Sequence, residues 1–268
     1  MKEIWFETNR KLWDAKTPIH LKAPMYKLEQ FKKTKNGLEK IVLDALADQV
    51  AGHSMLHLQC HFGQDTLSFA HLGARVTGVD FSPEAIKTAR RLARDLDLDA
   101  RFILSNIYDL PQHLDEQFDF VFTSYGTIVW LPDLTKWAQL INRYLKPGGT
   151  FYIAEFHPYF YTFNFENWQI EYPYFNPGTP FEDVETGTYA DRSADIQLKE
   201  YFWCHALAET LQPLLDEGLV LKAFREFDYT PWDCFPGLRE RAPGEFVIDK
   251  FSDLRLPYIF SFKMEKPT

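Results

Sequence analysis

The stretch Met55-Leu56-His57-Leu58-Gln59-Cys60-His61-Phe62-Gly63 and its continuation Arg75-Val76-Thr77-Gly78-Val79-Asp80-Phe81-Ser82-Pro83-Glu84 decide the fold. Residues 55–59 form a short apolar run, the pattern of a buried strand. Residues 64–72 read as a helix that stops at Gly73. Residues 75–80 are β-branched and form a second strand. Ser82-Pro83-Glu84 then opens another helix. Serine accepts from the first free amides, proline suits the first helical position, and glutamate suits the positive helix end. Ala85, Ile86, Ala89, Leu92, Ala93 and Leu96 line one face of that helix. Strands joined through helices by such short links pair in parallel.

Outward from this unit the alternation continues. Arg101–Leu104 is a third strand and Phe118–Thr123 a fourth. Leu134, Trp137, Ala138, Ile141 and Leu145 mark a helix ended by Lys146-Pro147-Gly148-Gly149, and Thr150–Phe156 is a fifth strand. Residues 205–217 are helical, and Leu219–Phe227 and Pro257–Met264 read as the last two strands. Upstream, Leu38, Ile41, Val42, Ala45 and Leu46 recur at helical spacing, and residues 1–36 form a polar N-terminal extension with helical pieces. The pattern predicts an α/β fold, a three-layer sandwich around a mostly parallel sheet. One domain spans residues 37–268, with irregular insertions at about 159–203 and 229–256. The first insertion carries 14 aromatics in 45 positions, about twice the density of the whole chain. It leaves a strand end where ligands bind in such sheets, so it reads as an aromatic cap over an apolar or planar small molecule, with a packed lid or dimer surface as the other reading.

The 268 residues carry 29 Lys+Arg against 38 Asp+Glu, a formal net charge of -9. Phosphate binding needs clustered basic residues, so a nucleic-acid partner is disfavoured. No apolar run approaches the ~18–20 residues of a membrane span. Met1-Lys2-Glu3-Ile4-Trp5 has no apolar leader pattern, and the expected compartment is the cytoplasm. Cys60, Cys204 and Cys234 form no disulfide or zinc pattern and read as small buried apolar residues. No metal site is expected, and a homodimer is left open.

In an open parallel sheet, ligands lie outside the carboxyl ends of the strands. The first three such ends are Gln59–Gly63, Asp80-Phe81-Ser82 and Ser105-Asn106-Ile107-Tyr108-Asp109. An acid after the second strand can accept two bonds from a ribose diol, the next aromatic can stack on adenine, and a polar residue after the third strand can meet the adenine edge. Together they make an adenosine site.

Residues 55–63, 76–82 and Leu145-Lys146-Pro147-Gly148-Gly149 resemble class I S-adenosylmethionine (SAM)-dependent methyltransferases of the type-11 kind, over roughly residues 38–157. The resemblance implies a seven-stranded Rossmann-like sheet whose last strand is antiparallel. It implies that Asp80 holds the ribose, that Phe81 and Ile107 flank the adenine, and that Asn106 meets its amino group. Ser82 belongs to the same segment. The loop Gln59, Cys60, His61 and Gly63 would approach the methionine part, and Ser124 and Tyr125 would line the methyl-donor side. The expected activity is methyl transfer from SAM to a small-molecule acceptor, mainly by positioning. Of the family's glycine loop only Gly63 survives, so the loop is expected to run differently, with Gln59 and His61 offering new hydrogen bonds. The acid usual at position 57 is His57. This degeneracy leaves a non-catalytic SAM-binding or ligand-sensing module as an alternative. A nucleotide-dependent oxidoreductase is less favoured, because its G-x-G-x-x-G fingerprint is absent. His157, after the fifth strand, is the candidate base. His205 is expected to cap or orient a helix, and His20 and Tyr26 either fold over the cofactor or pack on the sheet edge.

Overall fold

The computed structural model describes residues 2–165 and 167–268. Helices α1 (Glu3–His20), α2 (Leu28–Thr34) and α3 (Lys40–Leu46) precede the sheet. The alternating run follows as β1 (Ser54–Leu58), α4 (Gln64–His71), β2 (Arg75–Asp80), α5 (Pro83–Asp95), β3 (Ala100–Leu104), β4 (Phe118–Ser124), α6 (Leu134–Tyr144) and β5 (Leu145–Phe156). Next come the short strands β6 (Phe163–Asn164), β7 (Gln169–Ile170), β8 (Phe181–Thr186) and β9 (Gln197–Phe202). Helix α7 (Leu207–Asp216), β10 (Val220–Phe227), β11 (Leu238–Ala242), β12 (Glu245–Ile248) and β13 (Ile259–Glu265) complete the chain.

Seven strands form one sheet in the order β10-β13-β5-β4-β1-β2-β3. Strand β13 runs antiparallel to β10 and β5, and the remaining neighbours are parallel. Chain order reverses between β1 and β4, so their carboxyl ends flank the switch-point crevice. Strand β1 shows why both faces are covered. Leu56 and Leu58 join the core of Trp137 and Ile141 on α6, while Met55 joins that of Phe69 and Phe122. Burial on both sides removes any polar alternation, which leaves the largely apolar Met55-Leu56-His57-Leu58 that identified the strand.

Caps fix the helices as their sequences suggest. Ser82 Oγ accepts from Ala85 N at 3.1 Å at the start of α5. Asp133 Oδ1 accepts from Lys136 N at 2.9 Å at the start of α6. Glycine is required at position 78 by contact. A Cβ there would lie 2.8 Å from the Phe102 ring and 2.9 Å from Cys60 Sγ.

The insertions are more regular than their sequences suggest. Residues 159–203 hold two antiparallel hairpins, β6 with β7 and β8 with β9. Residues 229–256 hold the β11–β12 hairpin and a 3-10 segment, Asp249–Leu254. Strands β8 (FEDVET) and β9 (QLKEYF) have no fully buried position, so no hydrophobic alternation marks them. The Lys146–Gly149 segment is also reassigned: α6 ends at Tyr144 and β5 begins at once with Leu145.

Helix α1 is pinned at two places. Asn9 Nδ2 donates to Tyr201 O at 2.7 Å and Tyr201 N donates to Asn9 Oδ1 at 2.9 Å, so an amide side chain completes the free edge of β9. Asp14 Oδ1 accepts from Ser82 Oγ at 2.6 Å and Glu84 N at 3.1 Å. The extension thus spans from the cap to the sheet domain.

Candidate active site

A cavity of about 1050 Å³ opens at the carboxyl ends of β1, β2, β3 and β4. Gln59, Cys60, His61, Gly63, Asp80, Phe81, Asn106, Ile107, Ser124 and Tyr125 all line it. A site for one drug-sized ligand is typically ~300–1,000 Å³. This volume suits two small molecules side by side.

The β1 loop keeps a glycine-type backbone without the glycines. Gln59 and His61 have φ of +55° and +50°, in the left-handed region, and Gly63 has φ of +79°. Each strained non-glycine residue costs on the order of 1–3 kcal/mol. The strain is held by tertiary bonds: Gln59 Nε2 donates to Thr127 O at 3.0 Å, and His61 N donates to Asp80 Oδ2 at 2.8 Å. A Cβ at Gly63 would meet the Phe102 ring at 2.7 Å, which explains the glycine kept there. Among the described residues nothing bonds Gln59 Oε1 or His61 Nδ1, both buried. His57, in place of the usual acid, meets Thr66 Oγ1 through Nδ1 at 2.8 Å and ties β1 to α4.

Asp80 Oδ1 accepts from Ser82 N at 2.9 Å. Burial pushes its carboxyl up to about 6, against the pull of the Ser82, His61 and Phe81 amides. Asn106 lines the cavity, and its Oδ1 accepts from Tyr108 N at 3.1 Å. Ser124 Oγ donates to Asp65 Oδ2 at 3.1 Å. Tyr125 packs edge-on against Trp232, and its buried hydroxyl has no partner among the described residues.

Two of the expected site residues lie elsewhere. Ser82 is absent from the cavity wall because its hydroxyl caps α5 and bonds Asp14. His157 is also absent from the wall. The start of a 3-10 turn carries its side chain toward β10, where Nε2 sits 3.2 Å from Glu226 Oε1. His157→Gln is expected to leave ligand binding in the cavity within about threefold, and to cost about 0–1 kcal/mol because its partner Glu226 is exposed. Calorimetry and urea melts check this. His205 orients a loop through Leu131 O at 2.8 Å, and Ala206 occupies the helix cap position.

Glu155 and Lys16 carried no sequence signal of their own. Glu155, at the end of β5, is fully buried. It accepts from the amides of Gly126, Thr127, Ile128 and Phe156 and from Thr127 Oγ1. It thereby shapes the loop after β4. His20 and Tyr26 pack against the β1 loop: His20 Nδ1 lies 3.2 Å from His61 Nε2, and Tyr26 Oη lies 3.3 Å from His20. Burial drives His20 down to about 2 and His61 to about 3, so both rings are neutral. The Lys16 ammonium sits 5.3 Å from the Trp13 ring, 5.6 Å from Trp130 and 5.8 Å from Tyr189. It pairs with Glu185 of β8 and lies 3.8 Å from Glu200 of β9, whose carboxyl burial pushes up to about 7.

Residues 56–153 match the family model described as a methyltransferase domain. The chain is 28% identical over 144 residues to a ubiquinone biosynthesis O-methyltransferase of Xanthomonas oryzae pv. oryzae, covering 53% of this chain and 54% of that protein. The chain thus spans about half the length of the curated relatives it matches. Its fold is similar to that of a SAM-dependent methyltransferase of Methanosarcina mazei (TM-score 0.56, 20% identity, 86% of this chain and 98% of that one). It is also similar to a geranyl diphosphate C-methyltransferase of Streptomyces coelicolor A3(2) (TM-score 0.55, 15% identity, 85% of this chain and 79% of that one). Over residues 56–153 the chain therefore matches a methyltransferase-domain family model, on a fold similar to that of SAM-dependent methyltransferases.

Proposed function

We propose that the chain binds SAM at the ends of β1, β2 and β3 and methylates a small molecule held under the aromatic cap. The observation that carries this is the convergence of Asp80, Phe81, Asn106 and the strained 59–63 loop on one cavity, with two polar atoms left unpartnered there. Asp80 would accept the ribose hydroxyls. Phe81 and Ile107 would flank the adenine, with Asn106 at its edge. Gln59 Oε1 would accept from the methionine ammonium, and His61 Nδ1 would meet the carboxylate. When bound, SAM supplies an electrophilic methyl group on a positively charged sulfur. The chain's task is then to align the acceptor and exclude water, and alignment of this kind contributes ~7–11 kcal/mol.

The acceptor chamber is walled by Tyr125, Tyr161, Phe163, Tyr189, Trp232 and Phe235, which suits a planar or apolar molecule. Isothermal calorimetry with SAM and S-adenosylhomocysteine tests the reading. Micromolar binding of both is expected, and no heat with wild type ends it. Methyl-labelled SAM with a metabolite extract then separates an enzyme from a binding module: label in an extract compound marks catalysis. Among the described residues no helix is long and apolar enough to cross a membrane.

A further inference from the structure

We infer that Asp65 is the proton acceptor of the reaction, and that the methyl acceptor presents an O–H or N–H to it beside Ser124. This deepens the reading above and rests on it. Asp65 stands in the first turn of α4, two residues beyond Gly63, and lines the same cavity. Ser124 Oγ, at the end of β4, donates to its Oδ2 at 3.1 Å. Among the described residues Oδ1 has no hydrogen-bond partner, and no salt bridge reaches the carboxylate. A carboxylate placed only to stabilise α4 would sit in solvent near the helix amides. This one instead faces the chamber, together with the unpartnered hydroxyl of Tyr125 and with Glu39 from the segment before α3.

Groups from each neighbouring element set its proton affinity. Burial raises it, Glu39 raises it further, and the Ser124 hydroxyl lowers it, which leaves Asp65 at about 7. Tyr26, from the turn before α2, and Tyr125, after β4, also face it, and both phenols are held neutral by burial. Lys27 acts on Glu39, whose carboxyl is itself pushed up by burial. A base is most effective when its pKa lies near the working pH. His20 and His61, at about 2 and about 3, are too weak for this task.

The step balances simply. The acceptor's O–H or N–H bond breaks and its proton passes to Asp65 Oδ1. The freed electron pair forms the new bond to carbon. The pair of the broken S–CH3 bond stays on sulfur, which becomes a neutral thioether. Asp65 returns its proton to solvent when the products leave.

The test uses full-length protein, methyl-labelled SAM and a panel of phenols, catechols and primary aromatic amines. Wild-type kcat is expected to rise with pH, one decade per unit, and to level above about 7, because only ionised Asp65 accepts a proton. Asp65→Asn keeps the contact with Ser124 but accepts no proton. It is expected to lower kcat about 10²-fold, to abolish the limb near neutrality, and to leave SAM affinity by calorimetry within about threefold. Asp65→Glu is expected to recover part of the rate. An Asp65→Asn variant with wild-type kcat, or with an unchanged pH limb, overturns the assignment. A panel that is left wholly unmethylated while SAM binds overturns the acceptor class. Failure of wild type to bind SAM would instead strike the broader reading.

Discussion

Asp80→Ala is expected to weaken SAM binding about 10²–10⁴-fold. Hydrogen bonds to a charged group are worth ~1.5–3 kcal/mol each, and each ~1.4 kcal/mol is tenfold in affinity. Two ribose hydroxyls on one carboxylate give that range. The variant also strips His61 N and Ser82 N of their acceptor, so a melt by circular dichroism must accompany the calorimetry. Asp80→Asn keeps one acceptor oxygen and is expected to fall between wild type and alanine. Affinity within threefold of wild type in a folded Asp80→Ala would remove the proposed ribose contact.

The same residue sets a pH dependence with two opposite signs. Burial holds Asp80 at about 6, above its ordinary value of 3.8. Its contribution to the stability of the free protein is therefore fully present below the ordinary value and lost as pH rises through about 6. Ligand binding requires the ionised form, so affinity falls as pH drops below about 6. Calorimetry at about pH 5 and about pH 7.5, in buffers of different ionisation heat, should also show proton release on binding at the lower pH.

Glu155→Ala is expected to destabilise the fold by about 3–5 kcal/mol, among the largest effects of any single substitution. One carboxylate satisfies the amides of residues 126, 127, 128 and 156 and the Thr127 hydroxyl. Each buried donor left without an acceptor costs ~1–3 kcal/mol. Alanine orphans all of them, although water entering the space recovers part of the loss. Glu155→Gln keeps one acceptor oxygen but sets an NH2 against donors, and should lie between. The damage reaches the cofactor side as well, because Thr127 O holds the Gln59 side chain at 3.0 Å. Urea melts measure the first effect and SAM calorimetry the second. A loss below about 1 kcal/mol would mean that the loop after β4 does not depend on this carboxylate.

The sheet was legible because its central strands are buried on both faces. Met55–Leu58 and Val76–Asp80 leave no solvent-facing position to interrupt the apolar run. The caps of α5 and α6 were legible for a local reason, since Ser82 and Asp133 act on amides three residues away. The two hairpins of the cap were hidden because β8 and β9 are mostly polar and owe their order to α1 and to each other. At the site, the strand-end residues followed from position in the chain. His157 did not, because the chain turns sharply at Pro158 and carries the ring toward β10. Asp65 and Glu155 were missed for a common reason. Each is an ordinary acid in the sequence, and its meaning lies in partners that the fold brings from 59 and about 28 residues away. Gln59 and His61 were half legible: their side chains marked a changed loop, but their left-handed backbone had no sequence signature.

The clamp between Asn9 and Tyr201 joins positions 192 residues apart. A ribosome adds roughly 5–20 residues per second, so α1 is made on the order of 10–40 s before β9 exists to receive it. Through that interval Trp5, Trp13 and the Lys16 side chain have no native neighbours from the cap. The roof of the chamber is therefore completed long after the helix it rests on, and a nascent chain stalled before residue 197 would hold α1 only through Asp14 on α5, with no clamp to β9.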